Sequence, residues 1–218
     1  MRSVFLLAAL IISMSCFGQA GTIGFGPEVG LNISNYSIKS GGASQKTDVK
    51  YGGMFGGIVE IDLDSNFYIQ PGLFFFANGY KQNIVGGTAA TTINTIEIPV
   101  YVGYKFGPVG TRGLFINVGP YVGFNKGGFT KFRGTFKYTR DLHIGSDSTD
   151  NVKILDLGAA ANVGYQLMEG FFFSAHYQMG FMNVLPHGNS DNYLRNYNFG
   201  ISIGYMFDAK KVKKAVDK

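Results

Sequence analysis

Glu28, Glu60, Asp62, Glu97, Lys105, Asp156, His176 and Gln178 are the side chains best suited to proton or ion chemistry, and all fall on the small, polar face of segments that alternate with a period of two. Carboxylates brought close together can act as general acid and base, or can pass protons or cations along a path. The competing reading is an internal polar network in which Lys105 neutralises part of the acid cluster. It is the stronger one, because charges withdrawn from water persist only when paired or hydrated. Ser174 and His176, two residues apart on one strand face, have the types of a nucleophile and a base. No third group orients the base and no oxyanion site is evident, so the pair reads as filling. His143 and His187 have no ligand spacing around them. The expectation is therefore no enzyme, no metal and no cofactor.

A second constellation interleaves cations with rings: Lys126, Phe129, Lys131, Phe132, Arg133, Phe136, Lys137, Tyr138 and Arg140. Such a stretch in a soluble protein can stack on single-stranded nucleic acid. Charge argues against that here. Of the formal +5, Arg2 leaves with an N-terminal signal and the tail from Asp208 to Lys218 holds five Lys against two Asp, so the body is almost neutral. With no basic groove, nucleic acid is not expected as a partner. Above an outer membrane the same residues would meet lipopolysaccharide phosphates on an extended hairpin, followed by an exposed return through Asp141, Asp147 and Asp150.

These residues have to be positioned by strands. From Tyr197 to Phe207 the odd positions are Tyr, Phe, Ile, Ile, Tyr and Phe, while the even ones are Asn, Gly, Ser, Gly and Met. Aromatics at both ends of a branched aliphatic stripe match a bilayer with two interfaces, and the length is near the roughly 9–11 residues of a tilted membrane strand. A strand in lipid cannot present an open edge, so the chain has to supply enough strands to close. The same alternation recurs over Ile23–Ser34, Tyr51–Leu63, Phe67–Tyr80, Thr92–Phe106, Leu114–Asn125, Val152–Tyr165 and Phe171–Met182. The reading is all-β: an eight-stranded antiparallel up-and-down transmembrane β-barrel. Long polar connections, Asn35–Lys50, Lys81–Thr91, Lys126–Asn151 and Asn183–Asn196, alternate with tight ones at Asp64–Asn66, Gly107–Gly113 and Gln166–Gly170. That asymmetry is the pattern of an outer-membrane barrel. A lipocalin-like soluble barrel is the rival, but its faces would be reversed, with apolar residues inside. The 32 Gly, 15% aromatics and 15% charged residues fit the membrane version.

Residues 1–20 read as a signal peptide, with Arg2 before the apolar run Val4–Ile12 and small residues before Gln19 and Ala20. Cleavage there removes Cys16, the single cysteine, whose use as a lipid-attachment site is the lesser alternative. Residues 21–207 form the barrel, and 208–218 a Lys-rich periplasmic tail. The phrases Gly26-Pro27-Glu28-Val29-Gly30-Leu31-Asn32-Ile33-Ser34, Gln70-Pro71-Gly72-Leu73, Glu97-Ile98-Pro99-Val100 and Gly119-Pro120-Tyr121-Val122-Gly123-Phe124 resemble the PorT-like outer-membrane β-barrel family of Bacteroidetes. That resemblance implies an eight-stranded barrel in the outer membrane, and its founding member implies a link to secretion. Phe207 is read as the terminal aromatic that barrel assembly recognises.

The functional expectation is a barrel whose lumen is filled by its own side chains, structural or partner-binding, in contact with outer-membrane lipid, lipopolysaccharide and a protein partner of unknown identity. A small-solute pore and a lipid-modifying barrel enzyme are the alternatives. The partner surface is expected on the loop side, centred on Lys126–Asn151.

Overall fold

The structure is a computed structural model that describes residues 23–107, 112–147, 149–167 and 170–208. The proposed signal peptide and most of the Lys-rich tail lie outside those residues. Every regular element among them is a strand: β1 (Ile23–Ser40), β2 (Ala43–Gln45), β3 (Asp48–Asp62), β4 (Phe67–Ile84), β5 (Gly87–Phe106), β6 (Gly113–Gly134), β7 (Tyr138–Asp141), β8 (Leu155–Gln166), β9 (Phe171–Gly180), β10 (Tyr193–Tyr205) and β11 (Phe207–Asp208). The pairing is antiparallel throughout and runs β1-β3-β4-β5-β6-β8-β9-β10. β10 then pairs back onto β1, from Glu28 opposite Gly204 to Lys39 opposite Tyr193. The three short strands are appendages: β2 folds on β1, β7 on β6, and β11 carries the end of the chain along β1.

Period two sets the two faces. Outward along β1 and β10 stand Val29, Leu31, Ile201 and Ile203, between 54% and 64% exposed, whereas Asn32, Ser34, Asn198 and Ser202 between them are buried. An apolar band of this extent is not a surface that water tolerates on a monomer. At the short-turn end the band is bordered by packed rings: Phe25 on Phe207, Tyr205 on Phe207 and on Phe171, Phe67 on Tyr104, and Tyr104 on Phe106. Phe207 thus stands in this border, stacked on Phe25 with centroids 5.6 Å apart. With the polar side chains inside, the faces are opposite to those of a lipocalin.

Inside, rings cross onto glycines. Tyr68 faces Gly103, Phe172 faces Gly204, Phe115 faces Gly164 and His176 faces Gly200, each directly across a strand pair. A Cβ built on any of these glycines would collide with the opposing ring. The glycine-rich face therefore leaves room for bulky side chains in a tightly curved interior.

Several connections that the sequence suggests are loops prove to be strand. β4 and β5 run on until only Val85 and Gly86 separate them, Gly86 adopting a positive φ of 83°. β1 continues to Ser40, and the turn is made at Gly41 and Gly42. β6 is 22 residues long, about twice what a bilayer requires. The β-structure thus projects well beyond the hydrocarbon on one side only. Other boundaries also move: β8 starts at Leu155 and not Val152, which sits in an isolated bridge with Ile144, and β10 starts at Tyr193.

Candidate functional site

The lumen is layered along its axis. Nearest the short turns, Lys105 Nζ lies 2.5 Å from Glu60 Oε1, with both side chains almost wholly buried. The Lys105 ammonium is also 5.0 Å from the centroid of the Tyr68 ring. Tyr68 donates its hydroxyl hydrogen to Asn117 Oδ1, and Asn117 Nδ2 donates to Gln70 Oε1 at 2.9 Å. Asp62 is buried at this end as well. Next comes Glu28, whose Oε1 accepts from Ser202 Oγ at 2.6 Å, while the Ser202 and Ser174 hydroxyls are 2.7 Å apart. Deeper toward the loops, Gln178 Nε2 donates to Glu97 Oε1 at 2.5 Å and Asn198 Nδ2 donates to Gln178 Oε1 at 2.7 Å. Asn32 Nδ2 donates to Asn78 Oδ1 at 2.6 Å in the same layer, and the Tyr121 hydroxyl reaches Asp156 Oδ2 at 3.5 Å.

Apolar side chains interrupt these polar layers. Met54, Ile58, Phe74, Phe76, Phe115 and Phe172 form one buried cluster. Tyr36, Ile93, Val152, Val184 and Leu194 form another, which covers the loop-side end of the lumen. The space left among Glu28, Glu60, Lys105, Asn117 and Ser174 amounts to about 10 Å³. That is room for about one water molecule.

All eight side chains singled out from the sequence are buried, but they do not converge on one point. Lys105 pairs with Glu60, whereas Glu97, Asp156 and Glu28 meet amide and hydroxyl groups. Ser174 turns to Ser202, and the His176 ring meets Phe76 edge-on at 6.0 Å. Other members of the polar layers were not singled out from the sequence: Ser202, which donates to Glu28, and Asn32, Asn78, Asn117 and Asn198, which bond neighbouring amides and the Tyr68 hydroxyl. Their parity was the available signal, since each lies on the face that carries the acids.

The Lys126–Asn151 connection forms an extended hairpin, in which β6 pairs with β5 on one side and β7 on the other. Lys126 is its pivot. Asn125 pairs with Thr95 and Gly127 with Asn94, so Lys126 is an extra residue in the ladder. The bulge reverses the facing of everything beyond it. Thr130 then faces inward, its hydroxyl 3.0 Å from that of Thr91, and so does Phe132, stacked on Tyr138 with centroids 4.3 Å apart. Arg140, opposite Thr130, shares this inner face. Phe129, Lys131 and Arg133 take the outer face, where the Lys131 ammonium lies 4.9 Å from the Phe129 centroid. Phe136 and Lys137 are exposed at the tip. The basic and aromatic residues are thus divided between two surfaces.

No protein of curated function matches this chain. Among solved structures, it is similar to the outer membrane protein OprG of Pseudomonas aeruginosa, at 15% identity over 87% of this chain and 97% of that one, with a TM-score of 0.49. It is likewise similar to Neisserial surface protein A, at 10% identity over 86% and 99% with a TM-score of 0.46, and to Ail, the attachment invasion locus protein of Yersinia pestis, at 11% over 84% and 98% with a TM-score of 0.44. The model of the outer membrane protein beta-barrel domain family matches residues 17–185. That span takes in most of the paired strands, with their apolar exterior and polar interior. The chain is a member of the outer membrane protein beta-barrel domain family and is located in the outer membrane.

Proposed function

We propose that the protein is an eight-stranded transmembrane β-barrel closed by its own side chains, serving as a structural or partner-binding element of the outer membrane. The single observation that carries this reading is the filled lumen, in which hydrogen-bonded polar layers alternate with buried apolar and aromatic clusters. A ring of eight strands has an interior that side chains just fill. The return of β10 onto β1 supports the strand count. The four sequence phrases around Pro27, Pro71, Pro99 and Pro120 support placement in the PorT-like branch, and with it a secretion-associated partner.

The partner surface in this proposal is the outer face and tip of the β6–β7 hairpin. Lys126, Lys131, Arg133 and Lys137 supply charge, and Phe129 and Phe136 supply apolar contact. The same cations suit lipopolysaccharide phosphates. The Lys-rich tail is the competing contact, and it would face the periplasm. Crosslinking in intact cells distinguishes them: deletion of the hairpin tip, residues 131–139, is expected to abolish the crosslinked partner, and deletion of residues 209–218 to leave it. The reverse outcome would make the barrel an anchor for a periplasmic contact.

A further inference from the structure

Above the apolar cover of the lumen, the projecting strands enclose a cup of about 440 Å³, open on the loop side. Its size lies within the roughly 300–1,000 Å³ range of small-molecule sites. The base is Val152 and Leu194, both buried, with Ile38, Tyr80, Leu142 and Leu185 around them. Phe132, brought inward by the Lys126 bulge, continues the apolar wall upward. An apolar concavity facing water is costly unless something occupies it.

The polar part of the cup is one-sided. Among the described residues no Asp or Glu lines it, while Lys39 and Arg140 do. Lys39 is paired with Asp191 at 3.7 Å, whereas Arg140 makes no ion pair among the described residues. The Oδ1 atoms of Asn151 and Asn192 already accept from the backbone of His143 and Gly41, at 3.0 and 2.9 Å. A guanidinium over an apolar pocket is complementary to a molecule with a greasy body and an anionic head. The β10–β1 wall and the β4–β5–β6 wall are hydrogen-bonded ladders, and the cup opens on the loop side.

We propose that this cup binds a free, single-chain amphipathic anion, such as a medium-chain carboxylate, with its chain on the Ile38–Leu194 floor and its head on Arg140. The site uses the inner face of the hairpin whose outer face the partner reading uses, and it stands independently of that reading.

The test is a titration of decanoate into the full chain in lipid nanodiscs, followed by the methyl resonances of Ile, Leu and Val. Saturable shifts are expected at Ile38, Leu142, Leu185 and Leu194. Arg140→Gln is expected to weaken binding about tenfold, the order of one charge-assisted contact. Arg140→Lys should retain most of it, and Arg112→Gln, exposed at the short-turn end, should leave it unchanged. Decyltrimethylammonium, with the same chain and the opposite charge, should not compete. Unaltered Ile201 and Ile203 methyl signals verify that each variant is folded. Shifts confined to lipid-facing methyls such as Leu31 and Ile201, equal binding of the cation, or equal affinity of Arg140→Gln and wild type would each overturn the proposal.

Discussion

Lys105 and Glu60 form an ion pair that water barely reaches, and their removal one at a time differs from their removal together. Lys105→Met leaves the Glu60 carboxylate buried without its counter-charge, and the expected loss of stability is about 3–5 kcal/mol. The double variant Lys105→Met with Glu60→Gln removes both charges and should recover much of that loss. Urea unfolding of the refolded barrel in detergent micelles measures both; a double variant no better than the single one would show that packing and not charge sets the penalty. Parity alone identified both residues as inward-facing. Which acid meets Lys105 was not legible, because that depends on register across strands far apart in sequence. For the same reason the sequence placed Ser174 beside His176, while the ladder gives Ser174 the hydroxyl of Ser202, its partner on β10.

At the scale of elements, the two faces of each strand predict opposite sensitivities. Ile201→Arg puts a charge in the lipid-facing stripe and is expected to cost about 2–4 kcal/mol. Gly103→Leu acts from the other side. Its new side chain occupies the space of the Tyr68 ring, and the expected cost is about 1–3 kcal/mol from overpacking, with the hydrogen bond from Tyr68 to Asn117 lost as well. Adding Tyr68→Ala to Gly103→Leu should then cost less than the two changes summed, since the ring would no longer oppose the leucine. Strict additivity in unfolding measurements would contradict the ring-on-glycine account. The membrane portions of the strands were legible because lipid demands one apolar face, and Tyr197–Phe207 writes that demand in alternate residues. Beyond the bilayer the outer face is no longer an apolar stripe and the period fades. For this reason Lys81–Thr91 reads as loop although β4 and β5 pair almost to their tips, and the bulge at Lys126 leaves no trace in composition.

For the whole molecule, the closed pairing from β1 round to β10 and back predicts heat-modifiable migration. Unboiled protein in SDS should run at a different apparent mass from boiled protein, because detergent covers the apolar exterior without opening the hydrogen-bond ladder. Identical mobility in both states would contradict a closed ring. Outer-membrane location follows from the family, and the apolar band with its border of rings supplies the physical reason for it. The central proposal is that no solute passes through this barrel, its polar layers, its aromatic cluster and the cover formed by Tyr36, Ile93, Val152, Val184 and Leu194 filling it. The most direct measurement is the conductance of the purified, folded protein in a planar bilayer. The filled lumen predicts a flat trace with no unitary steps at any applied potential that the bilayer withstands. Stable, reproducible single-channel steps would contradict it and make the protein a pore.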